Sequence, residues 1–373
     1  MAKHTAYDLK QMQSLPLEAK INMTKRRIQE WYESWKRYEI YNENTEKTRF
    51  VTATDEPKLR NGEFVLKAIP GQVYVSFSGG KDSTVLKHIV DSMYDDVPAL
   101  FVNTGLEYPE IQKFAMSQKN VVTVRPEMRF DEVLTKYGYP VITKECSKKI
   151  YDARRGQPYA FQNFKGKMLD GTDSKYAQRF IKYERFVHAD FDSSHKCCDV
   201  MKKNPARAYE KEVGRKPIVG TMASESFLRQ QHWVKQGCNA FETDRPVSAP
   251  LSFWTEQDVL KYIMEYDIPY CSVYGDIVEK NGKLITTGCD RTGCMFCMYG
   301  CHRDPSPNRF QRLAETHPRQ YEYCIGGGEM VDGKWQPNKE GLGLGHVLDF
   351  IGVDYKCKGE QMNENRTDSI PHR

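Results

Sequence analysis

The sequence predicts an α/β fold: a doubly wound parallel sheet, preceded by a helical extension and followed by a cysteine-cluster region. Three observations carry this expectation. An apolar run, Val73-Tyr74-Val75-Ser76-Phe77, leads into a glycine pair and then into a stretch whose apolar residues, Val85, Leu86, Ile89, Val90 and Met93, recur at helical spacing. Two further short apolar runs, 97–102 and 121–124, flank a helical pattern over 109–118. Strands that alternate with helices in this way form βαβ units, whose strands lie parallel. Near the end, Cys289, Cys294, Cys297 and Cys301 fall within thirteen residues.

The remaining elements follow in order. Residues 17–41 read as one helix, because Leu17, Ile21, Met23, Ile28, Trp31 and Trp35 recur at near-helical spacing between charges. Residues 48–72 read as turn-rich, punctuated by Pro57, Gly62, Pro70 and Gly71. Pro217-Ile218-Val219-Gly220 is a short strand. Thr255 caps a helix that buries Val259, Leu260, Ile263 and Met264 and stops before Pro269. The glycine runs 326–328 and 341–345 read as loops, and 361–373 as a mobile polar tail. The expected division is a helical extension over 1–60, a nucleotide-binding α/β domain over 61–275, and a cysteine-cluster and C-terminal region over 276–373.

Composition narrows the class. With 39% hydrophobic and 28% charged residues, the 373-residue chain can bury a core. Charges interrupt residues 1–20 and no apolar run is long enough for a bilayer, so a cytoplasmic enzyme without a membrane partner is expected. In that compartment eleven cysteines point to metal or redox chemistry rather than disulfides. The net charge of +5 suits an anionic ligand.

The loop between the first core strand and its helix is where such a ligand would sit. Gly79 and Gly80 let backbone amides approach an anion, the helix N-terminus favours negative charge, and Ser78 and Ser83 can donate hydroxyl bonds. Lys81 can neutralise phosphate. A Walker A loop is excluded, because Val75 stands where its first glycine belongs and Asp82 follows the lysine. The string Ser78-Gly79-Gly80-Lys81-Asp82-Ser83 instead resembles the signature of the pyrophosphatase-loop (adenine nucleotide alpha hydrolase-like) superfamily. Asn103-Thr104-Gly105-Leu106-Glu107-Tyr108-Pro109-Glu110 resembles the Asp-Thr-Gly stretch of the phosphoadenosine phosphosulfate (PAPS) reductase family, with Asn103 replacing the usual aspartate. Gly220 to Arg229 resembles that family's Glu-Ser-Arg segment, with Met222 in place of an arginine. The stretch from Pro250 to Tyr270 resembles the segment that packs beneath the family's site. The resemblance implies that Ser78, Gly79, Gly80, Lys81, Asp82, Ser83, Asn103, Thr104, Gly105 and Glu107 hold ATP or a sulfated adenine nucleotide, with Mg²⁺ as a companion. It also implies that Lys81, Asp82 and Arg229 act in catalysis.

Two residues between Cys294 and Cys297 let both thiolates reach one metal or cluster, and Cys197-Cys198 lies far upstream. Spacing alone leaves zinc and an iron–sulfur cluster open. The pattern is similar to iron–sulfur adenosine phosphosulfate (APS) reductases, whose Cys-Cys and Cys-x-x-Cys bind a 4Fe–4S cluster. That resemblance points to Cys197, Cys198, Cys294 and Cys297, with Cys289 or Cys301 as alternative ligands. Cys238 and Cys271 read as buried thiols. His195 and His302 lie close to the cysteines in sequence. The reductases' C-terminal Glu-Cys-Gly-(Ile/Leu)-His string is missing. Cys357 stands between two lysines but lacks that motif.

Two basic stretches, Lys144 to Arg155 and Lys202 to Lys211, suit a sulfated nucleotide or a tRNA or DNA backbone, or simply a solvated helix face. Three functions follow: sulfonucleotide reduction, with a thioredoxin-like partner; ATP-dependent adenylation with sulfur transfer from a donor protein, resembling DNA phosphorothioation and tRNA thiolation enzymes; or a non-catalytic nucleotide- or nucleic-acid-binding accessory subunit. A homo-oligomer is expected.

Overall fold

The computed structural model describes residues 4–356; Cys357 and the 361–373 tail lie outside them. The chain forms two compact units. The first holds residues up to Asn103 together with Glu107–Arg125 and Pro205–Thr292; the second holds Thr104–Leu106, Pro126–Asn204 and the chain from Gly293 onward.

In the first unit, α1 (Ala6–Gln13) and α2 (Leu17–Ser34) come first. The single helix expected over 17–41 stops at Ser34, because Trp35 is extended (φ −90°, ψ 105°). Beyond it the side chains alternate, and Tyr38 and Ile40 are buried within β1 (Lys36–Asn42). A period of two over a β-branched and aromatic run outweighs the helical reading there. The turn-rich reading of 48–72 is likewise corrected: β2 (Lys47–Ala53) and β3 (Glu63–Ile69) flank β1 antiparallel.

The main sheet follows. Its strands are β4 (Val73–Phe77), β5 (Ala99–Val102), β6 (Val121–Val124), β7 (Lys216–Val219), β8 (Asn239–Ala240) and β9 (Val247–Ser248). Their order is β6-β5-β4-β7-β9-β8, parallel except for the β8 edge. The expected parallel α/β sheet is thus present. Val73, Tyr74, Val75 and Phe77 are all buried, as a parallel strand covered on both faces requires. Helices α3 (Lys81–Asp91) and α4 (Pro109–Ser117) follow β4 and β5. The chain runs outward from β4 to β5 and β6 on one side, and β7 and β9 extend the other. That reversal beside β4 makes its carboxyl end the place where open α/β sheets bind ligands.

The helix Glu256–Glu265 begins at Thr255, whose hydroxyl accepts from the Asp258 amide in a capping box. It buries Val259, Leu260 and Ile263, but Met264 is 54% exposed and Tyr262 takes the inward place expected of it. Lys20 of α2 is buried and donates to Asp258 at 2.7 Å, and the Trp254 indole donates to Thr24 at 2.9 Å. These bonds satisfy polar atoms that would otherwise be stranded in a core containing Ile28, Trp31, Phe253 and Trp254.

The second unit contains α5 (Phe130–Tyr137), α6 (Lys144–Ala153), α7 (Pro158–Phe164) and a 3₁₀ helix over Ala177–His188. The helices Arg309–Thr316, Pro318–Ile325 and Leu344–Ile351 belong to it as well. The last of these begins inside the 341–345 glycine run read as a loop, with Gly343 as its left-handed cap.

Candidate functional site

The glycine loop forms because β4 ends at Phe77 and the chain must reverse into α3. Gly79 makes the reversal with φ +72°, and Gly80 caps the helix. Both positions are closed to side chains. A Cβ on Gly79 would lie 3.0 Å from Ile111 Cγ2 and 3.1 Å from its carbonyl oxygen; on Gly80 it would lie 3.1 Å from the Tyr274 hydroxyl. The serines tie the turn together. Ser78 and Ser83 hydroxyls are 3.0 Å apart, the Ser78 amide donates to Ser83 Oγ at 3.2 Å, and Ser83 donates to the Gly80 carbonyl at 2.9 Å. The α3 N-terminus adds the positive end of its dipole.

Charged groups of the same unit gather around this turn. Lys81 is 5% exposed; its ammonium donates to the Asp290 carbonyl at 2.6 Å and pairs with Glu256 at 3.0 Å. Its amide donates to Tyr274 Oη at 3.2 Å, and that hydroxyl shares a 2.6 Å bond with Thr292. Burial pushes the Tyr274 phenol up to about 12. Asp82 has a buried carboxylate oxygen with no hydrogen-bond partner. Burial raises its pKa, against the pull of Lys81, Arg291 and Arg229. Glu225 accepts from the Met222 amide at 2.9 Å and pairs with both Arg229 and Arg291, holding two guanidinium groups on one carboxylate. Burial and the neighbouring Arg291 lower the pKa of Arg229. Buried Lys81 and the more exposed Arg229 and Arg291, beside the N-terminus of α3, can receive a multiply charged anion.

Sequence reasoning found Ser78 to Ser83 and Arg229, and the structure brings them together in one unit. It missed Arg291, Tyr274, Glu256 and Thr292, each separated from the loop by more than 170 residues; Glu256 lies in the 250–270 stretch read only as packing beneath the site, and Arg291 and Thr292 lie between cysteines read only as metal ligands. Asn103 follows β5 directly and is buried, its amide donating to the Val124 carbonyl at 2.9 Å. Glu107 returns to the first unit, whereas Thr104 and Gly105 fall in the second, where Thr104 Oγ1 accepts from the Leu106 amide at 3.1 Å.

The cysteines also divide. Cys289 lies in the first unit, near enough to Cys271 to influence its thiol. Cys197, Cys198, Cys294, Cys297 and Cys301 lie in the second. A hydrogen bond from Cys197 pulls the Cys198 thiol down to about 6, opposed by burial and aided by Lys144 and Lys202. The same bond and burial push Cys197 far up, and the charges of Cys294 and Cys297 add to that. Arg309 donates to the Cys297 and Tyr299 carbonyls at 2.9 and 3.0 Å, fixing the Cys-x-x-Cys turn. The imidazoles of His195 and His302 contain buried nitrogens without partners, and burial lowers both pKa values. Among the described residues, no group of three or more His, Cys, Asp or Glu side chains stands at the spacing for a metal ion. Cys238 and Cys271 are buried as expected. No helix of the described residues is long and apolar enough to cross a membrane.

Fold and loop together define an α/β protein that presents a glycine-rich, cation-flanked turn at the carboxyl end of a central parallel strand. The sequence model of the phosphoadenosine phosphosulfate reductase domain matches residues 72–153 and 163–299, more than half of the chain. The chain therefore belongs to the phosphoadenosine phosphosulfate reductase family. It is 20% identical over 240 residues to the phosphoadenosine 5'-phosphosulfate reductase of Alkalilimnicola ehrlichii, covering 64% of this chain and 78% of that one. It is 24% identical over 258 residues to an uncharacterized protein of Methanocaldococcus jannaschii, covering 68% of this chain but only 46% of that relative's length. A phosphate complex of the PAPS reductase from Candida auris aligns with 56% of this chain and 82% of its own, at 14% identity and a TM-score of 0.31.

Proposed function

We propose that the chain is an oxidoreductase that binds a sulfated adenine nucleotide, APS or PAPS, with its anionic end on the Ser78–Ser83 turn. The observation that carries this reading is the convergence of Lys81, Arg229 and Arg291 on that turn beside the buried Asp82. The amides of the turn and the Lys81 ammonium take the phosphate. The guanidinium groups held by Glu225 take the sulfate, using their remaining N–H donors. Asn103 and Glu107, in the segment after β5, are the residues proposed for the ribose side.

The reduction balances with an external dithiol of the thioredoxin class. One thiolate attacks sulfur, and the bond from sulfur to the bridging oxygen breaks. The adenylate leaves, and the second thiol then closes a disulfide and releases sulfite. The dithiol supplies both electrons. Cys197, Cys198, Cys294 and Cys297 lie in one unit, and the Cys197 thiol feels the charges of the other three; they are the residues proposed to hold an iron–sulfur cluster. A bound cluster would supply electrostatic support or redox capacity, and Lys144, Lys202 and Arg309 would order its thiolates.

The missing Glu-Cys-Gly-(Ile/Leu)-His string favours a second reading, in which ATP takes the same turn and an acceptor is adenylated with loss of pyrophosphate. Parallel assays decide between them. Sulfite release from APS or PAPS with a dithiol supports reduction, pyrophosphate release from ATP supports adenylation, and neither product from anaerobically prepared protein overturns both.

A further inference from the structure

A second feature belongs to the second unit, whereas the nucleotide turn belongs to the first. Residues 144–185 carry eleven Lys and Arg against five Asp and Glu, net +6, whereas the whole chain is +5; the other residues therefore carry net −1. This stretch is α6, α7 and the 3₁₀ helix of the second unit, packed on one another. Lys148, Arg155, Lys165, Lys167, Lys175, Arg179, Lys182 and Arg185 are exposed. Lys148, Lys165, Lys167, Lys175 and Lys182 make no ion pair among the described residues, while Arg179 is held by Glu145. The concentration of charge is local.

Aromatic rings interleave with these cations. The Arg155 guanidinium lies 3.4 Å from the Tyr151 ring centre, Arg179 lies 4.3 Å from that of Tyr176, and the Lys182 ammonium lies 5.0 Å from that of Tyr183. Tyr176 is 50% exposed and Phe161 39%. Lys149 is buried among Tyr159, Tyr176 and Phe180, its ammonium 4.9 Å from the Phe180 ring centre. It stiffens the platform instead of lying on a solvated face. Unpaired cations supply phosphate contacts, and exposed flat rings supply stacking sites for unpaired bases.

We infer that α6, α7 and the 3₁₀ helix form a docking surface for single-stranded nucleic acid. The lysines hold the backbone, and Tyr176 and Phe161 stack on bases. A duplex, whose bases are already stacked on one another, engages only the lysines.

The test is fluorescence anisotropy of a labelled oligonucleotide of about 20 residues, single-stranded or duplex, with the full chain over a salt series. The inference predicts tighter binding of the single strand, with log affinity falling linearly against log salt. Replacing Lys165, Lys167, Lys175 and Lys182 together by Gln weakens binding tenfold or more. It also flattens the salt slope by about 0.7 for each lysine that touches a phosphate. Tyr176→Ala with Phe161→Ala weakens single-strand binding by about fivefold or more and leaves the slope unchanged. Circular dichroism and thermal melting confirm that each variant is folded. Absent binding at low salt, equal affinity for duplex and single strand, equal affinity for polyglutamate, or unaltered binding by the lysine variant would overturn the inference, and polyglutamate binding would point to an acidic protein instead.

Discussion

Gly79→Ala probes the glycine turn most sharply, because the structure separates its two costs. Gly79 sits at φ +72°, where an L-residue is strained by about 1–2 kcal/mol. Its Cβ would also press on Ile111, 3.0 Å from Cγ2 and 3.1 Å from the carbonyl oxygen. Backbone cannot yield as a flexible side-chain end does, so overpacking adds about 1–2 kcal/mol. Gly105 is the control: its φ is +74°, but no atom lies within 4 Å of an added Cβ. Gly105→Ala should therefore cost about 1–2 kcal/mol and Gly79→Ala about 2–4 kcal/mol. Urea denaturation followed by tryptophan fluorescence reads the difference, since Trp31 and Trp254 lie in the first unit with Gly79, and Trp335 in the second with Gly105. Calorimetric titration with ATP and APS reads the function, where Gly79→Ala should lose tenfold or more in affinity because the amides no longer face the anion. Equal destabilisation by the two substitutions, or unchanged affinity in Gly79→Ala, would refute this account of the turn.

Three further outcomes follow from the same structure. Burial raises the Asp82 pKa above its unfolded value of about 3.9. That group therefore favours folding below this pH, and the contribution is lost as pH rises through the folded-state pKa. Asp82→Asn should accordingly raise the melting temperature near pH 7 and lose the advantage below about pH 4, while nucleotide affinity falls; a pH series of thermal melts checks this. Thr255→Ala removes the hydroxyl that accepts from the Asp258 amide and should cost about 1 kcal/mol in urea denaturation, with nucleotide affinity unchanged. In anaerobically purified protein, Cys197→Ser, Cys294→Ser and Cys297→Ser should each lose iron and visible absorbance, whereas Cys238→Ser, a buried thiol outside the proposed ligand set, should keep both; iron and sulfide analysis with the visible spectrum decides.

The parts legible in sequence were those whose signal is local. The β4 run, the glycine pair and the α3 stripe lie within twenty-one residues, and strand β6 falls at 121–124 as read. The antiparallel strands β1 to β3 escaped, because Trp31 and Trp35 continue a helical spacing up to the residue where the backbone turns extended. Met264 was placed inward by a spacing that Tyr262 satisfies equally well, and the larger ring fills the space. In the site, Lys81 and Asp82 announce themselves beside glycines, but their partners Glu256, Tyr274 and Arg291 arrive from distant segments through the fold of the chain. Lys149 shows the same limit, since a charge run cannot reveal that one of its members is buried among aromatic rings.

Calorimetric titration of the full chain with ATP, APS and PAPS, beside the same titrations of Lys81→Ala, tests the central claim most directly. Lys81 contributes a charge-assisted bond of about 1.5–3 kcal/mol, so the account predicts one-to-one binding of at least one nucleotide and a loss of about tenfold or more in the variant. No binding of any of the three, or equal affinity in the two proteins, would contradict it.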